Sequence, residues 1–278
     1  MLQAFQRGCA ILLKERLDIL LVQKGYFKSR EKAKAAIMAG LVYVNNQLSD
    51  KAGTAVDVDA VIEVRDNPCP YVSRGGLKLE KAINEFNIDL EGAVAIDIGA
   101  STGGFTDCML SYGASKVYAI DVGYGQLDYT LRNDPRIVNM EKVNIRYLDT
   151  NLIPDKADFI SIDVSFISLN LVFPVASKLL KDKGRVVALI KPQFEAGKEQ
   201  VGKKGIVRDK SIHKEVIEKV IDYGVKVGLY PTNLTYSPLT GAKGNIEYLM
   251  LLEKNDEVNV DLDVDRITDL AHNDLLKD

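Results

Sequence analysis

Ala95-Ile-Asp-Ile-Gly-Ala-Ser-Thr-Gly-Gly-Phe-Thr106 is the stretch that decides the fold. Ahead of it, the apolar run 93–98 has the make-up of a buried strand, and behind it a helix is expected to begin near Phe105. Between them Gly99, Gly103 and Gly104 carry no side chains to obstruct a ligand, which describes a cofactor loop at the carboxyl end of a first strand. A dinucleotide loop would read G-x-G-x-x-G; here Ser101 stands at the second glycine position and Asp97 just before the turn. A carboxylate there disfavours a pyrophosphate and favours a cation. S-adenosylmethionine carries an ammonium and a sulfonium, and Asp121, closing the next apolar run 116–120, is placed to accept from two ribose hydroxyls. A methyl-donor site follows; the plainer alternative is a glycine-rich turn with no ligand.

Outward from the loop, apolar strands and helical patterns alternate. Strands are expected at 116–121, 137–140, 158–163 and 185–190, and helices at 126–132, 169–181 and 213–227. Such alternation means a mostly parallel sheet covered on both faces. Two closing β runs, 229–236 and 247–252, fit the seven-stranded, Rossmann-like methyltransferase sheet whose last hairpin adds an antiparallel edge.

Ligands of such sheets bind at strand ends. Four polar residues stand there: Asp163 after the fourth strand, Lys191 after the fifth, Lys78 ahead of the first and Glu247 opening the last. Lys191 directly follows Val-Val-Ala-Leu-Ile and is costly if buried unpaired; Pro192 ends the strand and turns its head group to the cleft. Two lysines and two carboxylates suit alkylation of a sugar hydroxyl, with Lys191 taking the proton and the others positioning the groups. Amino-methylating enzymes place Pro-Pro-aromatic after the fourth strand, whereas Val-Ser-Phe follows Asp163. Cys108 reads as a small core residue rather than a nucleophile.

Ahead of residue 67 the composition changes. Residues 1–51 hold nine Lys and Arg against four Asp and Glu, in a chain of 278 residues with net charge −3. Residues 12–39 read as two short helices interrupted at Gly25, the second capped by Ser29 and opening among Lys28, Arg30, Lys32 and Lys34. Cations there oppose the helix dipole, so an anionic partner is implied. β-type runs at 41–44 and 61–64, with an Asn45-Asn46 turn, suggest a small sheet packed on the helices. Asn67-Pro-Cys-Pro70 reads as a linker, giving domains 1–66 and 78–278 joined by 67–77. Arg74 precedes the next helix, again a poor place for a cation unless something anionic binds.

At 46% hydrophobic and 27% charged, the chain is globular. Three scattered cysteines suit a reducing compartment, and two isolated histidines, expected at solvent or on a helix surface, argue against a metal centre. The apolar run 9–13 is too short for a signal peptide, and no run reaches the ~20 apolar residues of a membrane helix, so a cytoplasmic protein is expected. Residues 253–278, with nine acids against three bases, read as a solvated terminal segment, and the basic, glycine-containing stretch 196–211 as a mobile lid that clamps RNA.

Arg16-Leu-Asp, Lys28-Ser-Arg-Glu-Lys-Ala and Ala39-Gly-Leu-Val-Tyr-Val-Asn resemble the αL RNA-binding module of ribosomal proteins. The resemblance implies phosphate contacts by Lys28, Arg30, Lys32 and Lys34; Arg16 and Arg74 are grouped with them. With Ser73-Arg-Gly-Gly-Leu-Lys78, Asp163-Val-Ser-Phe-Ile-Ser-Leu, Lys191-Pro-Gln-Phe-Glu and Gly244-Asn-Ile-Glu247 added to the cofactor loop, the chain resembles the TlyA family: an αL domain joined to an FtsJ-like ribose 2′-O-methyltransferase domain. The resemblance implies a catalytic tetrad of Lys78, Asp163, Lys191 and Glu247. It also implies an adenine pocket with Asn144 and Ile145, and a cytidine ribose of 16S or 23S ribosomal RNA as substrate. Asp97, Gly99, Ser101, Thr102, Gly103, Gly104, Phe105, Thr106, Asp121, Val122 and Asp163 complete the expected S-adenosylmethionine set, with no metal. The competing readings are a cytolysin, from the haemolysin label such proteins carry, and an rRNA-binding protein whose methylase domain is inactive.

Overall fold

The computed structural model describes residues 14–45, 47–64, 69–255 and 262–276, and the chain divides into two compact units, 1–74 and 75–278. The division falls inside the stretch 67–77 read as a linker, of which 67 and 68, like the run 9–13, lie outside the described residues.

In the first unit β1 (Lys14–Arg16) leads into α1 (Leu17–Gln23) and α2 (Arg30–Met38), followed by β2 (Val42–Val44), β3 (Gln47–Leu48), β4 (Ala55–Asp57) and β5 (Ile62–Val64). Leu17, Leu20 and Leu21 of α1 meet Ala33 and Ile37 of α2, all buried, at the three- and four-residue spacings of one helix face. Each leucine so buried is worth about 1.5–3 kcal/mol. Ser29 caps α2, its Oγ accepting from Lys32 N–H at 3.3 Å. The start differs from the helical reading of 12–39: residues 14–16 are a strand paired antiparallel with β4, because their backbone groups bond to 55–57. Leu12 and Leu13 lie outside the described residues. The other strands form a second small sheet in the order β3-β2-β5.

In the second unit α3 (Gly75–Glu85) precedes β6 (Val94–Ile98), α4 (Gly104–Ser111), β7 (Lys116–Ile120), α5 (Tyr129–Arg132), β8 (Ile137–Met140), β9 (Ala157–Ile162), α6 (Phe173–Leu179), β10 (Leu180–Ile190), α7 (Pro192–Glu195), α8 (Lys210–Val225), β11 (Leu229–Tyr236), β12 (Tyr248–Lys254) and α9 (Val264–Leu275). One seven-stranded sheet runs β11-β12-β10-β9-β6-β7-β8, parallel except for β12, which is antiparallel to both neighbours. This is the expected mixed methyltransferase sheet. The antiparallel strand is inserted beside β10, leaving β11 at the edge.

Helix boundaries differ in three places, the helix expected at 213–227 being α8, which starts three residues earlier. The helix expected at 169–181 is a 3₁₀ turn (Leu169–Leu171) followed by α6, because Pro174 lacks an N–H and fits only the opening turn of a helix. The helix expected at 126–132 starts late, capped by Asp128, which accepts from Thr130 N–H at 2.8 Å.

Two readings are overturned. The acidic terminal segment is not merely solvated: α9 buries Thr268 and Ala271, and its Asp265 and Asp269 pair with Lys214 and Lys210 of α8. His213 is fully buried rather than exposed, its ring nitrogens 2.8 Å from the Tyr248 hydroxyl and 3.0 Å from the Val207 carbonyl, with His272 at 3.1 Å. Burial of its ring pushes the His213 pKa down to about 4. Through Val207 the segment 196–211 is docked: Val207 is buried and its N–H donates to Asn245 Oδ1 at 3.1 Å.

Candidate active site

The rim formed by the carboxyl ends of β9 and β10 and the amino end of β12 collects the polar strand-end residues. Ile190 pairs with Tyr248, so one further step of the antiparallel register sets Lys191 across from Glu247. Lys191 Nζ lies 2.5 Å from Asp163 Oδ1 and donates to Ser165 Oγ at 3.1 Å. The contact with Asp163 is an ion pair outside hydrogen-bond angles, and the directed bond goes to Ser165. Lys78, at the opening of α3, donates to Glu247 Oε2 at 2.6 Å. Both ammonium groups are largely covered, with side-chain exposures of 11% for Lys191 and 13% for Lys78. Gly241 makes room for the second pair: a Cβ there would stand 1.9 Å from Glu247 Oε1. The rim thus holds two tight cation–carboxylate pairs of zero summed charge.

Beside it lies a cavity of about 650 Å³, within the range of small-molecule sites. Gly99, Ser101, Asp121, Val122, Asn144, Ile145 and Asp163 line it. Gly99 admits no substitution, since a Cβ there would come 2.3 Å from the Asp163 carbonyl oxygen and its φ is +90°. Asp121 is held in place by Ser101 N–H at 2.8 Å and Gly123 N–H at 2.6 Å, one on each oxygen, and lone pairs remain to accept from a ligand.

Asp97, Thr102, Gly103, Gly104, Phe105 and Thr106 are not among the lining residues. The chain turns into α4 at Gly104, carrying Phe105 and Thr106 into the core. Asp97 is fully buried and accepts from Thr106 Oγ1 at 2.7 Å and Ser161 Oγ at 3.0 Å, so its oxygens face those hydroxyls rather than a cation. Burial pushes its carboxyl up to about 7, against the lowering effect of both hydroxyls.

Sequence reasoning passed over Gln126, Arg146, Ser165, Phe166 and Ser168, which also line the cavity. Phe166 is the clearest omission. It is 89% exposed, adopts φ +63° and sits 4.8 Å from the Phe194 ring centroid. A bulky residue held left-handed in the open at a strand end is the mark of a functional position. The only signal in the sequence was an aromatic where Pro-Pro was being sought.

In the first unit Asp18 is fully buried and draws two arginines to itself. Arg16 Nε and Nη2 donate at 3.0 and 3.1 Å, and Arg30 Nη2 at 2.9 Å. Hydrogen bonds from Arg16, joined by Arg30 and both positive charges, hold the Asp18 carboxyl well below the usual range. The arginine side chains remain 49% and 47% exposed. Lys28 and Lys32 are exposed and Lys34 half-buried. Arg74 lies across Gly40, where a Cβ would come 3.1 Å from Nη1.

Among the described residues no helix is long and apolar enough to cross a membrane, and no three His, Cys, Asp or Glu side chains cluster as a metal site. The model of the FtsJ-like methyltransferase family matches residues 71–254, and that of the S4 domain matches 15–62. The chain is 52% identical over 240 residues, 86% of its length and 85% of the relative's, to YqxC of Bacillus subtilis, named as a candidate rRNA methyltransferase. It is 41% identical over 238 residues, 85% of its length and 89% of the relative's, to the 16S/23S rRNA (cytidine-2′-O)-methyltransferase TlyA of Mycobacterium tuberculosis. A solved structure from Streptococcus thermophilus, described as a candidate hemolysin, is 48% identical, superimposes with a TM-score of 0.76, and covers 95% of this chain and 97% of that one. With seven strands in the methyltransferase order and an S4 domain ahead of them, the chain belongs to the TlyA family of FtsJ-like methyltransferases.

Proposed function

We propose that the protein transfers the methyl group of S-adenosylmethionine to a cytidine ribose 2′-hydroxyl of ribosomal RNA, acting on ribosomes in the cytoplasm. The observation that carries this reading is Lys191, which is ion-paired at 2.5 Å to Asp163 of the cavity wall and bonded to Ser165 of the same wall. The cavity residues fit the cofactor: Asp121 offers lone pairs to ribose hydroxyls, and Val122, Asn144 and Ile145 offer an apolar and amide-bearing surface to a purine. When bound, S-adenosylmethionine supplies an electrophilic methyl on a sulfonium.

The chain's own residues then have distinct tasks. A ribose hydroxyl is a weak acid; Lys191, once its ammonium has released one proton to solvent, accepts the hydroxyl proton on its free amine as the oxygen attacks the methyl carbon. Asp163 holds the Lys191 head group and, after the proton moves, stabilises the ammonium so formed. Lys78 of α3, oriented by Glu247, orients the hydroxyl. Phe166 offers an exposed ring on which a displaced base can stack. Base help of this kind is worth ~10²–10⁴-fold, with positioning supplying the rest.

Arg16, Lys28, Arg30, Lys32, Lys34 and Arg74 contact RNA phosphates, which the half-exposed, preorganised arginines of the first unit support. The names of the M. tuberculosis and B. subtilis relatives support ribosomal RNA as the substrate. The test is transfer of a tritiated methyl group to ribosomal subunits lacking the modification, followed by alkaline hydrolysis. Label in an alkali-resistant dinucleotide containing cytidine is expected. Label on a base, or none, overturns the reading.

A further inference from the structure

Glu195 is a buried carboxylate with no task in the chemistry above. It closes α7, the single turn that follows Lys191, and is 6% exposed. Burial pushes its carboxyl above the usual range, so a charge kept there opposes folding unless its partners compensate. Those partners are Ser168 Oγ, donating to Oε2 at 2.7 Å, and Leu169 N–H, donating to Oε1 at 2.7 Å. Both belong to the far end of the loop 163–169, whose near end is fixed where Asp163 N–H donates to the Ile98 carbonyl at 2.9 Å. Between these ends Lys191 reaches Ser165, and Phe194 packs on Phe166. On its other side Lys219 of α8 donates to the Glu195 carbonyl at 3.1 Å and so anchors α7. The two loops are therefore laced together at three points, and Glu195 makes the lacing that grips backbone. Phe166, left-handed at φ +63°, stands in the middle of the span.

We propose that Glu195 is a positioning residue of the site: by fixing Ser168 and Leu169 it holds the loop 163–169 in register with Lys191, and so sets the reach of the amine to the hydroxyl being methylated. This rests on the methyl-transfer reading. Glu195 acts through the loop, and a displacement of about 1 Å there is enough to cost on the order of 10²-fold in rate. An amide in its place keeps both bonds, since a glutamine oxygen accepts from Leu169 N–H while its NH₂ donates to the Ser168 hydroxyl.

The experiment compares full-length wild type, Glu195→Ala and Glu195→Gln in three measurements: methyl transfer to unmodified subunits, calorimetry with S-adenosylmethionine, and amide hydrogen exchange. Glu195→Ala is expected to lower kcat by about 10–100-fold, with the KM for subunits and the Kd for cofactor within about two-fold of wild type. Glu195→Gln is expected to recover kcat to within about three-fold. Amides of 166–169 should exchange faster in the alanine variant while those of β6 keep their protection. The proposal is overturned if Glu195→Ala keeps wild-type kcat, if exchange at 166–169 is unchanged, or if kcat falls together with protection throughout the unit and glutamine restores neither. Should wild type itself fail to methylate ribose, the functional reading fails, while the exchange comparison still decides whether Glu195 holds the loop.

Discussion

Among the described residues each unit buries one aspartate completely, and the two carry opposite charge tendencies. Asp18 is surrounded by two guanidinium groups and stays ionised well into acid; Asp97 has the hydroxyls of Thr106 and Ser161 for side-chain partners, and burial pushes its carboxyl up to about 7. Neither has surface open to solvent, but Asp97 lies deep in the sheet, where desolvation outweighs its hydrogen bonds, whereas Asp18 lies under a thin cover, where the hydrogen bonds from Arg16 outweigh it. The difference also separates the tasks of the two units. Asp18 holds cations that remain half-exposed and available to phosphates, whereas Asp97 ties the cofactor loop to the sheet without a cation. At the methyltransferase rim a third arrangement appears, in which each carboxylate has its own nearly covered ammonium.

The largest expected effect separates the rim from the RNA surface. Lys191→Ala should lower kcat ~10²–10⁴-fold while subunit affinity stays within about two-fold. A loss of affinity instead would make Lys191 another phosphate contact, and the contrast between the units would collapse.

Next come identical substitutions in the two buried sites. Asp18→Asn should destabilise the first unit by about 1–3 kcal/mol at neutral pH, toward the low end because its arginines are half-exposed. The asparagine NH₂ would face guanidinium donors and have nothing to accept its bond. The depressed Asp18 pKa contributes stability that is present above the unfolded value near 4 and is lost as pH falls through the lower folded value, so the deficit should close only in strong acid. Chemical denaturation monitored in the first unit reads this; a neutral outcome would mean the arginines are organised by something else.

Asp97→Asn should behave in the reverse sense. Its folded pKa is raised, so its contribution is present below the unfolded value near 4 and is lost as pH rises through about 7. The asparagine variant should therefore gain on wild type by on the order of 4 kcal/mol between pH 4 and pH 8. The difference between variants is the quantity to measure, because His213, lowered to about 4, tilts wild-type stability the other way between pH 4 and 6.5. A difference that is flat with pH would put Asp97 in the same class as Asp18.

The smallest effect is the finest test of the surface. Arg16→Ala should reduce the salt-dependence slope of subunit binding by about 1 and leave kcat at saturating subunit unchanged. An unchanged slope would show that Asp18 keeps this guanidinium for the fold alone.

What the sequence revealed and what it withheld follow one physical line. Gly99, Asp121, Lys191 and Glu247 were legible because strand ends are set by chain order, and chain order is visible. Asp97 was placed on the right strand, but its bonds with Thr106 and Ser161 were not foreseen, since these reach it from α4 and β9 and only folding brings them there. The strand β1 went unseen because three residues cannot display a period, and their pairing with 55–57 is non-local. The acidic composition of α9 concealed a helix whose acids answer the lysines of α8, and His213 looked solitary because Tyr248 and His272 lie 35 and 59 residues away. Phe166 and Glu195 gain their meaning from each other's loops.

The late insertion of β12 between β10 and β11 has a consequence for biosynthesis. A nascent chain that has emerged only through β11 has no Glu247 to meet Lys78 and no strand to flank Lys191 on that side, so the rim is incomplete however well the earlier strands have paired. The Lys78–Glu247 pair and the strand that flanks Lys191 can thus form only after β12 has been made.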